Sequence, residues 1–302
     1  MAVRAMMLAM VSLMVLTTRS GAQTSTVSFQ TVDGNRTALV TDHGRGRPVP
    51  LVLVLHDALG SSELARRSMS WDAIAARDPL IVAYPQGLRQ VWADARPEGV
   101  MAAGNRADDV GFLRRLVGDL VTQGKVDRRR VYVAGVGLGG QMVYRLACDA
   151  ADVVTAGAAV LANLPAGLVR DCRGSPVAML VMNATDDPVS RWGGTPGRSG
   201  GEGATLSAEA TLTVLRERAG CRATEERPLP DRSTEDGSKV VRAEGVGCRV
   251  ALRFYRIEGG GHRVPALAEQ TLPATRGPAL GRQNRDIEAA EEIWAFFRDI
   301  AK

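Results

Sequence analysis

The chain has few aromatic residues, few histidines and little excess charge. Aromatic side chains make up 4% of its 302 residues, it contains three histidines, and its formal net charge is +5. Proteins that bind nucleic acids concentrate basic residues in patches, often with aromatic side chains among them. The basic residues of this chain are scattered instead, so we expect no nucleic-acid partner.

Long apolar runs are also scarce, and none of membrane-spanning length follows the N-terminal segment. That segment, residues 1–22, combines an early arginine, Arg4, with an apolar run and the small residues Ser20–Ala22, a pattern typical of a cleaved secretion signal. An uncleaved membrane anchor or a buried helix is the alternative, but the run is shorter than the roughly 20 residues that cross a bilayer. We predict a signal peptide over residues 1–22, a mature chain over residues 23–302 that is secreted to the periplasm or the medium, and no membrane association after cleavage.

Cysteine is rare but even in number, and the four cysteines are Cys148, Cys172, Cys221 and Cys248. In an exported chain an even count favours two disulfides. Three pairings are possible. Pairing of sequence neighbours closes loops of about 25 residues, each worth on the order of 3 kcal/mol of stability. A zinc site is the alternative, but no C-x-x-C or H-x-x-x-H spacing exists to hold one, so we expect no metal.

From Pro50 onward, apolar runs typical of strands alternate with helical patterns. The strand runs are Leu51–Leu55, Leu80–Tyr84, Arg130–Ala134, Thr155–Leu161, Val177–Met182 and Arg249–Ile257, and the helical segments are Glu63–Arg77, Asp108–Val121, Gly140–Asp149, Ala208–Ala219 and Asp286–Ile300. This alternation predicts a single α/β domain with a mostly parallel central sheet and helices on both faces. Two earlier segments, Thr26–Thr31 and Ala38–Thr41, predict an antiparallel pair at the edge of that sheet.

One strand, within Arg130–Met142, runs through a glycine-rich turn directly into a helix. This is the context of the nucleophile elbow, G-x-S-x-G, in which a serine stands on a strained turn above the sheet. Gly135 and Gly139 occupy the two flanking glycine positions, and Gly137 stands where the serine belongs. The turn also matches a dinucleotide-binding G-x-G-x-x-G, but no βαβ unit opens the domain here and no acidic residue follows the next strand near Leu161. We therefore expect no cofactor.

A carboxylate and an imidazole follow two later strands, in the chain order in which this kind of site supplies its acid and its base. Asp187 comes after the strand Val177–Met182, and His262 follows the flexible turn Gly259–Gly261. A lone histidine is more often structural than catalytic, but position, glycine flanks and chain order agree for His262. We predict that Asp187 and His262 are the acid and the base of a triad.

Several blocks of the chain, taken together, resemble a known family. They are His56–Ser61, Tyr84–Gln86, Asp108–Leu113, Val131–Leu146, Asp187–Val189, Gly259–His262 and Glu291–Phe297. The resemblance is to the polyhydroxybutyrate depolymerase and feruloyl esterase-like family of secreted α/β hydrolases, and it covers nearly all of the chain.

This resemblance implies an α/β-hydrolase fold and an ester-bearing small molecule or polymer, such as a polyester or an acylated polysaccharide, as substrate. It maps Gly137 to the nucleophile, Asp187 to the acid and His262 to the base. It also implies an oxyanion hole made by the backbone N–H groups of Leu138 and Ala58.

The sequence departs from the family's pattern at three places. The family reads Gly-Leu-Ser-Asn-Gly-Gly at Gly135–Gly140, His-Gly at His56-Asp57, and His-Gly-Thr at Asn183–Thr185. Glycine at position 137 accepts the backbone of the elbow without strain but has no hydroxyl to form an acyl-enzyme. The charge of Asp57 opposes an oxyanion if its side chain turns inward.

Three functions are compatible with these residues. The chain is an ester hydrolase in which a water activated by His262 and Asp187 replaces the serine, a pseudoenzyme that binds polyester or glycan without catalysis, or a structural exported domain. The missing nucleophile, together with the changes at Asp57 and Asn183, favours weak or absent esterase activity. We also expect Gly137→Ser to gain some esterase activity, and Asp57→Gly to raise it further.

Overall fold

The structure is a computed structural model, and it describes residues 23–44, 46–94, 107–197, 204–270 and 278–300. The predicted signal peptide, residues 1–22, lies outside the described residues.

The strands are β1 (Gln23–Thr31), β2 (Gly34–Asp42), β3 (Val49–Leu55), β4 (Ile81–Pro85), β5 (Val126–Val136), β6 (Ala156–Val160), β7 (Ala178–Ala184), β8 (Ala223–Pro228), β9 (Lys239–Val246) and β10 (Leu252–Glu258). The helices are α1 (Ser62–Ser68), α2 (Trp71–Arg77), α3 (Asp109–Thr122), α4 (Leu138–Asp149), α5 (Ala166–Asp171), α6 (Ala208–Ala219) and α7 (Ala289–Ile300).

The strands form one sheet in the order β1-β2-β4-β3-β5-β6-β7-β10-β9-β8. The six strands from β4 to β10 in this order pair in parallel. Antiparallel strands flank them on both sides, β1 and β2 on one and β8 and β9 on the other. The predicted parallel centre and the antiparallel pair at its N-terminal edge are confirmed. The hairpin of β8 and β9 was not predicted.

Helices cover both faces of the sheet, and the central strands β3, β4, β6 and β7 are buried along their whole length. Along β3, Leu51, Leu53 and Leu55 belong to one core and Val52 and Val54 to the other, since successive side chains of a strand point to opposite faces. The first core is closed by apolar residues of α3, α4, α5 and α6. The second is closed by residues of α1, α2 and α7. The sheet is therefore buried between two layers of helices, and the loops lie at the ends of its strands.

The parallel centre brings four loops together at one edge, because the carboxyl ends of parallel strands lie on the same side of a sheet. The loop after β3 contains Asp57, the turn after β5 contains Gly137, the loop after β7 contains Asp187, and the turn after β10 contains His262. Residues far apart in sequence are thus neighbours at this edge.

Two disulfides tie helices on one face to neighbouring segments. Cys148 of α4 is joined to Cys172 at the end of α5, and Cys221 after α6 is joined to Cys248 after β9. These pairs are the sequence neighbours among the three possible pairings. Among the described residues, no helix combines the length and the apolar character that crossing a bilayer requires.

Candidate active site

The turn from β5 to α4 keeps the tight geometry of a nucleophile elbow although it contains no serine. Gly137 has φ +53° and ψ −116°, a backbone conformation that residues with a side chain rarely adopt. The two flanking positions are glycines because neighbouring backbone atoms leave no room for a side chain. A Cβ on Gly135 would lie 2.3 Å from the carbonyl oxygen of Gly139, and a Cβ on Gly139 would lie 2.4 Å from that of Leu55. The turn thus packs directly against the end of β3.

The carboxylate of Asp57 fills the space above this turn. Its Oδ1 accepts hydrogen bonds from the backbone N–H of Leu138, at 2.9 Å, and from that of Ala58, at 2.6 Å. These are the two N–H groups that the sequence resemblance implies for an oxyanion hole. A Cβ built on Gly137 would lie 2.0 Å from the same Oδ1 and 2.4 Å from the Asp57 Cγ. The carboxylate therefore occupies the space that a side chain at position 137 would fill, and it accepts from both N–H groups that the resemblance implies for an oxyanion hole.

His262 lies between two carboxylates. Its Nδ1 is 2.7 Å from Oδ2 of Asp187, and its Nε2 is 3.1 Å from Oδ2 of Asp57. The other oxygen of Asp187 accepts backbone hydrogen bonds from Val189 and Ser190, each 2.7 Å long, which fix that carboxylate on its loop. The side chains of His262 and Asp187 are buried, while that of Asp57 is 36% exposed. Solvent thus reaches this cluster at Asp57.

The two carboxylates determine the charge of the imidazole. Burial alone would lower the pKa of His262, but the hydrogen bonds and the charges of Asp187 and Asp57 outweigh it and raise the pKa to about 10. Burial would likewise raise the pKa of Asp57, yet the hydrogen bond and charge of His262, with the N–H groups of Leu138 and Ala58, hold it below its usual value. At neutral pH His262 is therefore an imidazolium, and both of its ring nitrogens donate. It has no lone pair with which to accept a proton.

The neighbouring His56 is neutral and holds the backbone of Asp57. Its Nε2 accepts the N–H of Gly87 at 2.9 Å, so its Nδ1 carries the proton and donates to the carbonyl of Asp57 at 2.7 Å. Burial lowers the pKa of His56, against smaller opposing effects of Asp57. Trp92 donates to the carbonyl of His56 at 2.9 Å. These hydrogen bonds fix the backbone of the loop that carries Asp57. This role of His56 was not predicted from the sequence.

The other departure from the family's pattern, Asn183, contributes differently. It is buried in β7, where its amide donates to Oδ1 of Asn163 at 2.6 Å and to the carbonyl of Ala162 at 3.3 Å. Asn163 in turn donates to the carbonyl of Arg191. Asn183 therefore ties β7 to the loop after β6, and Asn163 links that loop to the loop after β7.

Two sequence relatives and a solved structure resemble this chain. NocK from Nocardia uniformis subsp. tsuyamanensis, whose name assigns it to the esterases, is 27% identical over 292 residues, which are 90% of this chain and 83% of NocK. Feruloyl esterase B from Piromyces equi is 28% identical over 151 residues, which are 49% of this chain and only 28% of that protein. The structure of an acetyl xylan esterase from Aspergillus awamori superposes with a TM-score of 0.55 at 12% identity, over 80% of this chain and 95% of that one. No protein-family model matches the chain.

Sheet order, helices on both faces and these likenesses define the α/β-hydrolase fold. In sequence, the chain is related to carboxylic ester hydrolases. The cluster at the carboxyl edge of the sheet lies where that fold carries its active site.

Proposed function

We propose that this chain is an exported relative of the carboxylic ester hydrolases that has lost hydrolysis through a serine acyl-enzyme. One observation carries the proposal: the carboxylate of Asp57 fills both the place of the serine side chain and the oxyanion position. The proposed ligand is an ester-bearing small molecule or polymer. The names of the similar proteins suggest a feruloylated or acetylated polysaccharide, and the sequence resemblance adds a polyester. Asp187 and His262 are the retained acid and base positions.

Ester hydrolysis through serine needs a hydroxyl, a base with a free lone pair and an empty oxyanion hole. Gly137 supplies no hydroxyl. The imidazole of His262 is protonated and donates toward Asp57. The two donors of the hole already bind Oδ1 of Asp57, and the charge of that oxygen repels a developing oxyanion. Each of the three requirements is therefore unmet.

A water activated by His262 is the other route to ester hydrolysis. It needs Nε2 as a proton acceptor, and this nitrogen is 3.1 Å from the Asp57 Oδ2, to which it donates. While Asp57 is ionised, the pKa of His262 stays near 10, so the imidazole remains charged at neutral pH. The geometry therefore favours loss of esterase activity over a water-based esterase.

Export of the protein rests on two features. Residues 1–22 have the composition of a signal peptide. The pairs Cys148–Cys172 and Cys221–Cys248 fit folding in an oxidising compartment such as the periplasm or the medium.

The test combines a fluorophosphonate probe, which labels activated serines, with assays on p-nitrophenyl acetate and butyrate. The native protein should remain unlabelled and should not hydrolyse either ester faster than His262→Gln, a control variant that removes the imidazole and leaves position 137 unchanged. A known serine esterase serves as the positive control for both assays. Stoichiometric labelling of any serine, or hydrolysis by the native protein well above the variant, would refute the loss of serine chemistry.

A further inference from the structure

The two oxygens of Asp57 have different surroundings. Oδ1 is held by the N–H groups of Ala58 and Leu138, whereas Oδ2 faces Nε2 of His262. The side chain remains 36% exposed, so a small molecule has access to it. We propose that Asp57 is a carboxylate nucleophile that opens epoxides, forming an ester that water hydrolyses to a diol. This activity goes beyond the proposed loss of serine chemistry.

The position of Oδ1 is what a covalent role for Asp57 requires. Carboxylates serve as nucleophiles in several enzymes, forming ester or acyl intermediates. If Oδ2 becomes esterified, Oδ1 becomes the carbonyl oxygen of that ester, already bound by two N–H donors. Attack of water at Cγ then places the negative charge on Oδ1, where the donors stabilise it. The two N–H donors thus stabilise the charge on the carbonyl oxygen of the Asp57 ester, where an esterase would stabilise the carbonyl oxygen of its substrate.

In the first step, Oδ2 attacks a ring carbon of the epoxide. The new bond joins Oδ2 to that carbon, the carbon–oxygen bond of the strained ring breaks, and its electron pair goes to the ring oxygen. The resulting alkoxide takes the proton of the His262 Nε2, directly or through one water. The products are a 2-hydroxyalkyl ester on Asp57 and a neutral imidazole.

In the second step, neutral His262 acts as the base. Esterification removes the negative charge of Asp57 and leaves His262 with Asp187 alone, 2.7 Å from Nδ1. Nε2 takes a proton from water, the hydroxide oxygen bonds to Cγ, and the tetrahedral intermediate collapses with cleavage of the bond between Cγ and Oδ2. The diol leaves with that oxygen after protonation from His262 or solvent. The carboxylic acid thus formed on Asp57 passes its proton to His262, or to solvent if His262 has kept its own. One water is consumed, and the Asp57 carboxylate and the His262 imidazolium are restored.

The surroundings favour an epoxide over the two other electrophiles that a carboxylate could attack. An ester substrate needs an oxyanion hole for its own carbonyl, and Oδ1 occupies that hole. An alkyl halide expels an ion that needs no proton, so His262 would first have to lose its proton to solvent before it could activate water in the second step. Epoxide opening needs one proton, which His262 holds beside Oδ2. Giving up that proton converts His262 into the base of the next step.

The first experiment follows oxygen. Purified protein, in molar excess over styrene oxide or 1,2-epoxyhexane, is incubated in H₂¹⁸O for one turnover, and the Asp57 peptide and the diol are analysed by mass spectrometry. We expect one ¹⁸O in the Asp57 carboxylate and none in the diol, because the diol receives the original Oδ2. Label in the diol alone, with none in Asp57, would overturn the proposal, since water would then have attacked the epoxide directly.

The second experiment separates the two steps with variants. Asp187→Asn keeps the His262 proton for the first step but leaves the neutral imidazole without its carboxylate in the second, so it should accumulate one epoxide mass on Asp57. Asp57→Asn should form neither the adduct nor the diol. Asp186→Asn is the matched control. Asp186 is an exposed carboxylate next to Asp187, and its side chain accepts a hydrogen bond from the hydroxyl of Thr185. It should behave like the native protein. Thermal unfolding of every variant verifies that it is folded.

A folded Asp187→Asn variant that gains no adduct with either epoxide overturns the nucleophile proposal, as does an adduct at a residue other than Asp57. These outcomes leave the loss of serine chemistry intact. That loss is refuted separately, by fluorophosphonate labelling or p-nitrophenyl ester hydrolysis. The two proposals therefore fail in distinguishable ways.

Discussion

A serine placed at position 137 reveals how far Asp57 alone prevents ester hydrolysis. The sequence predicts that Gly137→Ser gains some activity, but the structure gives a sharper expectation. The serine Cβ would lie 2.0 Å from Oδ1 of Asp57, well inside van der Waals contact, so one of the two side chains must move. We now expect Gly137→Ser alone to remain without measurable esterase activity, and Gly137→Ser with Asp57→Gly to gain it.

The size of the difference follows from what Asp57 blocks. Removing its side chain frees the N–H groups of Leu138 and Ala58, and one such donor is worth on the order of 10²–10³ in kcat. It also takes one carboxylate away from His262, so the pKa of His262 falls and the imidazole becomes a base for the new hydroxyl. We therefore expect the double variant to exceed the single variant by on the order of 10²-fold or more. The serine must adopt φ near +53°, which costs on the order of 1–3 kcal/mol of stability.

The assay is hydrolysis of p-nitrophenyl acetate by four proteins: the native chain, both single variants and the double variant. Asp57→Gly is the matched control, because it opens the oxyanion hole without supplying a nucleophile. Denaturant unfolding checks that each variant is folded and measures the cost of the serine. Equal activity of Gly137→Ser with and without Asp57 would refute the steric and electrostatic block. A folded, inactive double variant with His262 more than about 5 Å from the new hydroxyl would show that the triad geometry has decayed too.

Two further predictions concern the scaffold. The protein, denatured without reductant, should show no free thiol and should yield peptides linked as Cys148–Cys172 and Cys221–Cys248; four reactive thiols or crossed pairs in peptide mapping would contradict the pairing. Gly139→Ala should lower the midpoint of thermal unfolding strongly, because its Cβ would lie 2.4 Å from the carbonyl oxygen of Leu55 and 2.6 Å from that of His56, both of them backbone atoms that cannot move aside locally. Gly118→Ala, at a helical glycine with open space around it, is the control and should leave the midpoint unchanged or raised; equal effects of the two changes would refute the close approach.

Much of the fold could be predicted because the hydrophobic pattern of the central strands is clear in the sequence. The central strands β3, β4 and β7 are continuous apolar runs, since both of their faces are buried, and their parallel arrangement and the antiparallel edge pair were predicted. The hairpin of β8 and β9 escaped because β8 is mostly exposed and carries adjacent glutamates, so no apolar run marks it. The predicted helix Glu63–Arg77 is two helices, separated at Ser70, which has φ +53° although neither glycine nor proline signals a break there.

The site was partly predictable for a different reason. Gly137, Asp187 and His262 stand after strands, in a chain order that the fold constrains, and the structure brings them to one edge of the sheet. The direction of the Asp57 side chain is not encoded in such a pattern. It depends on the position of two backbone N–H groups, one of them 81 residues away, and on the charge of a histidine 205 residues away. The inward orientation of the Asp57 side chain could therefore not be predicted from the sequence.

The occupation of the site by an ionised Asp57 is tested most directly by the protonation state of His262. ¹⁵N NMR of the three imidazole rings, assigned through variants and followed from about pH 6 to about pH 11, measures it in the native protein and in Asp57→Asn. We predict that His262 of the native protein remains an imidazolium at neutral pH and loses its proton near pH 10, and that Asp57→Asn shifts this titration to lower pH because one carboxylate partner is gone. A His262 that titrates near its ordinary value of about 6.5 in both proteins would contradict the ion pair with Asp57.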